Sequence, residues 1–77
     1  MSTQYALFLV SHSDIRTRPD RAERALRVFF PRQASDYFAS MRRGEHILVR
    51  EGDLDSLSAF ASSLSAQGFI PSVRTLE

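Results

Sequence analysis

The chain contains no cysteine and no lysine, and it has only three glycines and three prolines. Without cysteine there can be no disulfide, no thiolate nucleophile and no cysteine-based metal site, which fits a reducing compartment. The longest apolar run, Tyr5 to Val10, is far too short to cross a bilayer, and no basic-then-apolar leader begins the chain. We therefore expect a soluble, cytoplasmic protein without a membrane partner.

The length of 77 residues leaves room for one small domain, residues 1–77. Net charge is +1, so the overall charge gives no argument for nucleic-acid binding. The charge is unevenly distributed, however. Residues 11–32 hold six arginines against three carboxylates, a net of +3, whereas residues 51–77 hold one arginine against four carboxylates, a net of −3. A partner could recognise this polarity.

Three short segments are predicted to be strands. Tyr5 to Val10 is apolar on both alternating faces, which is typical of a central strand. His46 to Arg50 is bounded by two glycines, and Phe69 to Leu76 contains Pro71. Because proline offers no ladder N–H, it confines this last strand to a sheet edge or to the strand's own beginning.

Three helices are predicted from apolar stripes at helical spacing. The first runs from about Pro19 to Phe30, with either Thr17 in a capping box or Arg18 as the cap before Pro19. The second covers about residues 34–43, and the third begins after Asp53 and ends at Gly68. The order is β-α-α-β-α-β, an α/β (α+β sandwich) fold with three strands and three helices on one face. The alternative is a ferredoxin-like βαββαβ fold with a hairpin around Tyr37.

This element order resembles two related bacterial families: the C-terminal domain of the ribosomal stalk protein, and the Clp protease adaptor that delivers N-degron substrates. The likeness covers roughly residues 5–75 and rests on Tyr5 to Val10, "AERALRVFF", "ASDYFASMRRG", "ILVREGD" and "LSAQGF". It implies the sandwich fold and a non-enzymatic adaptor role. A further likeness, of "HILVREGDLDSLSAFASSLSAQGFIPSVR" to sporulation-related peptidoglycan-binding repeats, would require a strand over residues 34–43.

The family motifs carry over only in part. Asp14, Thr17 and Pro19 resemble the Asn-Asp-Asp-x-Thr-Pro loop with which Clp adaptors grip a substrate's α-amino group. That family also uses a histidine late in the second helix, where this chain has Arg42 and Arg43, which should repel an ammonium group. The stalk family has a basic first helix, which the arginines of the first helix resemble, but its Gly-Leu-Gly-Leu turn is missing here.

The candidate partner-binding residues are those of the loop after the first strand and of the basic helix face: His12, Asp14, Arg16, Arg18, Arg21, Arg24 and Arg27. Arginine suits bidentate contacts with carboxylate or phosphate. Equally, the helix face could be neutralised locally, by Asp20 with Arg24 and by Glu23 with Arg27 at i, i+4 spacing. The leading hypothesis is an adaptor or regulator that binds an acidic protein surface; the alternative is nucleic-acid binding through the same face. The sequence leaves the oligomeric state open.

Catalysis is a less favoured hypothesis. His12 and His46 end neighbouring predicted strands and could form the acid–base pair of a small nuclease-like enzyme. No Gly-rich phosphate loop or dinucleotide motif occurs, and His12 with Asp14 supplies at most two metal ligands. We therefore expect no cofactor, no metal and no catalytic residue.

Overall fold

A computed structural model describes residues 4–76 of the chain. Its elements follow the order predicted from the sequence: β1 (Tyr5–His12), α1 (Pro19–Phe29), α2 (Ala34–Arg42), β2 (Ile47–Gly52), α3 (Leu54–Ala66) and β3 (Phe69–Thr75). The segment around Tyr37 is helical, so the ferredoxin-like alternative is wrong. The two folds differ in this segment, which is a helix here and would be a strand in the ferredoxin-like fold. The other elements are common to both folds.

The three strands form one antiparallel sheet in the order β2-β1-β3. The apolar β1 is therefore the central strand, as its two-sided hydrophobicity predicts. Pro71 lies opposite Leu9 in β3, which is an edge strand and can accept a residue without a ladder N–H. Both predictions for these strands are confirmed. β1 extends two residues further than predicted, and β2 begins one residue later and ends two residues later than predicted.

One face of the sheet carries the hydrophobic core and all three helices. The core cluster joins sheet residues with residues from each helix: Leu7, Leu9, Ile47 and Phe69 with Leu26, Ala34, Met41, Leu57 and Leu64. The helices lie on this face because each has a single apolar stripe that must be removed from water.

The helix ends follow their local sequence signals. Arg18 is the cap residue of α1 and Pro19 occupies the first helical position, so the capping-box alternative at Thr17 does not form. Asp53 caps α3, its carboxylate accepting the N–H of Ser56. α3 ends at Ala66, and Gly68, which follows the cap residue Gln67, has a φ of +92° that is disfavoured for residues with a Cβ.

The other face of the sheet is not covered by helices. Phe8 on this face is opposite Leu48, which is 46% exposed. The guanidinium of Arg74 lies 4.5 Å from the centroid of the Phe8 ring, and its Nη2 is 2.7 Å from Nδ1 of His46. The side chain of Arg74, from the edge strand β3, thus lies over the central strand β1 and reaches His46, which precedes the other edge strand, β2.

None of the helices in residues 4–76 has the length and apolar character needed to cross a membrane.

Candidate binding surface

The loop between β1 and α1, residues 13–18, is held by a dense set of backbone hydrogen bonds. The Arg18 N–H donates to the Asp14 carbonyl at 2.8 Å, and the Ile15 N–H donates to the His12 carbonyl at 3.0 Å. The Ser13 N–H donates to the carbonyl of Gly68, 2.8 Å away, which ties the loop to the turn before β3. These bonds give the loop a defined conformation at the start of α1.

The side chain of His12 holds this loop in place. The residue is only 3% exposed, and both ring nitrogens are used: Nε2 lies 2.8 Å from the Gln67 carbonyl, and Nδ1 accepts the Asp14 N–H at 3.0 Å. This pattern requires a neutral ring with its proton on Nε2. The sequence interpretation placed His12 among the contact residues; its burial instead makes it the anchor of the loop.

A β-bulge explains why His12 is buried. Strict alternation from Leu7 and Leu9 would send residue 12 to the same face as Phe8. The register of β1 against β3 shifts between Leu9 and Ser11, so the faces exchange after this point. His12 consequently points into the core, where its ring packs edge-on against Phe69 at a centroid distance of 4.7 Å.

The arginines of α1 differ in their local pairing. Arg27 forms an ion pair with Glu23 at i, i+4, so this part of the local-neutralisation alternative is correct. Within residues 4–76, Arg21 and Arg24 have no carboxylate oxygen within 4 Å, and the anticipated Asp20–Arg24 pair does not form. Both of these arginines are exposed. Of the three arginines on the basic face, Arg27 is thus neutralised by an ion pair. Within the described residues, Arg21 and Arg24 are not.

A shallow depression of about 410 Å³ adjoins these two arginines. It is lined by His12, Asp14, Arg21, Arg24, Ala25, Val28 and Gln67. Val28 is 75% exposed, the highest exposure among the large hydrophobic residues described. The depression therefore combines two cations, one carboxylate and an apolar side chain on one surface, which we call the α1 surface.

Three members of the α1 surface, Ala25, Val28 and Gln67, were not among the predicted contact residues. Val28 falls outside the apolar stripe to which the buried residues Ala22 and Leu26 belong. A hydrophobic residue outside that stripe was the sequence signal that could have indicated a contact surface. Gln67 reaches the site through the turn before β3, and no local pattern indicates that contact.

The remaining predicted loop arginines lie elsewhere. Arg18 is exposed at the cap of α1. Arg16 lines a different concavity, together with Arg42 and Arg43 at the end of α2. The loop therefore divides the predicted residues between two surfaces instead of presenting them on one.

The two histidines do not form a pair. His12 packs against Phe69 in the core, whereas His46 is exposed and contacts Arg74, which covers Phe8 on the opposite face of the sheet. The two rings therefore lie in different environments, one buried in the core and the other exposed at the surface. Across residues 4–76, no three side chains of the His, Asp or Glu type come close enough together to hold a metal ion.

Comparison of the chain with protein-family models, with curated proteins and with solved structures gives no match.

Proposed function

We propose that this protein is a small non-enzymatic adaptor module that binds an acidic protein surface through the α1 surface. The observation that carries the proposal is that Arg21 and Arg24 are exposed and lack an ion pair within residues 4–76, beside the highly exposed Val28. Guanidinium groups form strong bidentate bonds with carboxylates, and an adjacent apolar residue adds contact area that loses water on binding.

The rigidity of the surface supports a binding role. Arg21 and Arg24 project from a regular helix, and the neighbouring loop is fixed by His12 and by backbone hydrogen bonds. A partner that binds such a surface does not have to order it first, so less conformational entropy is lost on association.

The chemistry of the surface favours protein over nucleic acid. A phosphate backbone presents negative charge without apolar groups, whereas a protein surface can present carboxylates and apolar side chains together. Val28 would gain little from a phosphate but would pack against an apolar side chain of a protein partner. Binding to RNA or DNA is the competing outcome that the experiment must separate.

The test is a pull-down with quantitative identification of the captured proteins, using the wild-type chain and the double variant Arg21→Glu, Arg24→Glu. The matched control is Arg32→Glu, Arg50→Glu, which changes the net charge equally at two exposed arginines that line neither of the two concavities beside the loop. We expect a partner with an acidic surface to be captured by the wild type and the control and lost with the α1 variant. Capture that survives the α1 reversal, or that is lost equally in both variants, would refute the proposal.

Two further measurements address the competing outcomes. Retention on single-stranded RNA or duplex DNA that falls steeply with added salt would replace the protein-binding proposal with nucleic-acid binding. The chain also carries an acidic segment, residues 51–77, that could bind the α1 surface of a second copy. Light scattering across a range of concentrations tests this: a dimer abolished by the α1 reversal would identify the acidic partner as the chain itself.

A further inference from the structure

A second concavity, larger than the depression beside Arg21 and Arg24, lies on the other side of the β1–α1 loop. It has a volume of about 570 Å³ and opens between this loop, the end of α2 and the residues that precede β2. That volume falls in the range of small-molecule sites. We call it the α2 cleft; it shares no lining residue with the α1 surface.

Part of the lining of the α2 cleft is apolar. Met41 belongs to the buried core and is 4% exposed, while Val10 and Ile15 are half-buried. Ile15 comes from the loop and packs against the core cluster. A hydrocarbon group placed here would cover apolar surface that water otherwise contacts, which contributes roughly 25 cal/mol per Å².

The charged part of the lining is entirely cationic. It consists of Arg16, Arg42 and Arg43, and no carboxylate lines the cleft. Arg43 is paired with Glu45 at 2.9 Å, and this hydrogen bond and the arginine's charge hold the pKa of Glu45 below its ordinary value. Arg16 and Arg42, by contrast, have no carboxylate oxygen within 4 Å in the part of the chain that the structure describes.

We propose that the α2 cleft binds an organic carboxylate that carries an apolar group, with Arg16 and Arg42 holding the carboxylate and with Val10, Ile15 and Met41 contacting the hydrocarbon. A carboxylate with a hydrocarbon body uses both halves of the lining. Inorganic phosphate would use only the arginines, and an uncharged apolar molecule would leave them without a counter-charge. The same chemistry occurs in a free small carboxylate and in the C-terminal residue of a peptide.

The site is independent of the proposed adaptor function, since it depends on different arginines. Arg21 and Arg24 carry the α1 surface, whereas Arg16 and Arg42 carry the α2 cleft. Each pair of arginines can therefore be neutralised while the other pair serves as the control, and failure of one proposal leaves the other standing.

The experiment is an amide chemical-shift titration of the ¹⁵N-labelled chain with N-acetyl-leucine, with its uncharged analogue N-acetyl-leucinamide, and with inorganic phosphate. We expect saturable shifts for N-acetyl-leucine at the amides of Ser11, Ile15 and Gly44, and much weaker binding of the other two. Pentapeptides that end in leucine, with a free or an amidated C-terminus, distinguish the sources. Tighter binding of the free-acid peptide than of N-acetyl-leucine identifies a peptide C-terminus as the source; weaker binding identifies a free carboxylate.

The variants complete the test. The double variant Arg16→Gln, Arg42→Gln should weaken N-acetyl-leucine binding by about tenfold or more, because each charged hydrogen bond contributes more than a neutral one. The control Arg21→Gln, Arg24→Gln should bind as the wild type does, and the amide spectra of both variants report directly whether they are folded. The proposal is overturned if the shifts do not saturate, if they map away from the cleft, if N-acetyl-leucinamide binds equally well, or if both double variants lose affinity equally.

Discussion

The ring of His12 and the backbone of Gln67 are joined across the end of the sheet: His12 Nε2 donates to the Gln67 carbonyl oxygen at 2.8 Å. The two residues are 55 positions apart in the chain, so this bond joins the end of β1 to the turn that precedes β3. The other ring nitrogen accepts the N–H of Asp14, which fixes the start of the β1–α1 loop. One buried side chain thus sets the position of a loop on which two candidate surfaces depend.

Replacing His12 with alanine is expected to lower the free energy of unfolding by about 2 kcal/mol or more. The change leaves a cavity beside Phe69 and removes the partners of two part-buried backbone groups. Urea denaturation of the purified chain measures the effect. His46→Ala is the control, because this histidine is exposed and its loss should change stability by no more than about 0.5 kcal/mol. Similar losses for both histidines would contradict the structural role assigned to His12.

Gly68 should tolerate substitution less well than Gly44. Both have positive φ values, +92° and +78°, so alanine at either site is strained by about 1–2 kcal/mol. A Cβ on Gly68 would additionally lie 2.9 Å from Cε1 and Nε2 of His12, whereas a Cβ on Gly44 meets nothing within 4 Å. We therefore expect Gly68→Ala to lower the thermal midpoint clearly more than Gly44→Ala. Equal midpoints would mean that His12 moves aside without cost.

The sequence predicted the fold well because its signals were local. The helix stripes, Pro19, Pro31, Asp53 and the glycines at helix ends each depend on a few neighbouring residues, and together they gave the correct element order. The position of His12 could not be read in this way. It depends on a bulge between Leu9 and Ser11, and the bulge is defined by pairing with β3 almost sixty residues later.

The candidate site was predicted only in part, for the same reason. Arg21 and Arg24 are on the exposed face of α1 as the helical spacing predicts, but Arg16 lines a different concavity from theirs, because the loop turns between residues 14 and 18. The pairing of Arg27 with Glu23, and the absence of such a pair at Arg24 within residues 4–76, depend on side-chain geometry. Spacing alone allowed both pairs equally.

Asp53 should make the stability of α3 depend on pH. Its carboxylate accepts the N–H of Ser56 at 3.1 Å, and the hydrogen bonds from Ser56 lower its pKa below the ordinary value of 3.8. A carboxyl group whose pKa is lower in the folded state stabilises the fold above the unfolded value, and this contribution is lost as the pH falls through the folded value.

Thermal unfolding at neutral pH and at acid pH tests this expectation. Asp53→Ala should lower the thermal midpoint at neutral pH, and its difference from the wild type should shrink once the carboxyl group is protonated. Asp53→Asn is the control, since asparagine caps helices about as well without titrating. A deficit of Asp53→Ala that stays constant across this pH range would show that the charge of Asp53 does not contribute.

The two faces of α1 should differ sharply in their sensitivity to substitution, because only one of them belongs to the core. Leu26 is fully buried in the core cluster, so Leu26→Ala should lower the free energy of unfolding by about 3 kcal/mol. Val28, which is 75% exposed, should tolerate alanine within about 0.5 kcal/mol. If Val28 belongs to a binding surface, Val28→Ala should nevertheless weaken partner capture in the pull-down while chemical denaturation detects no loss of stability. A Val28→Ala chain that is as unstable as Leu26→Ala would place this valine in the core and remove it from the α1 surface.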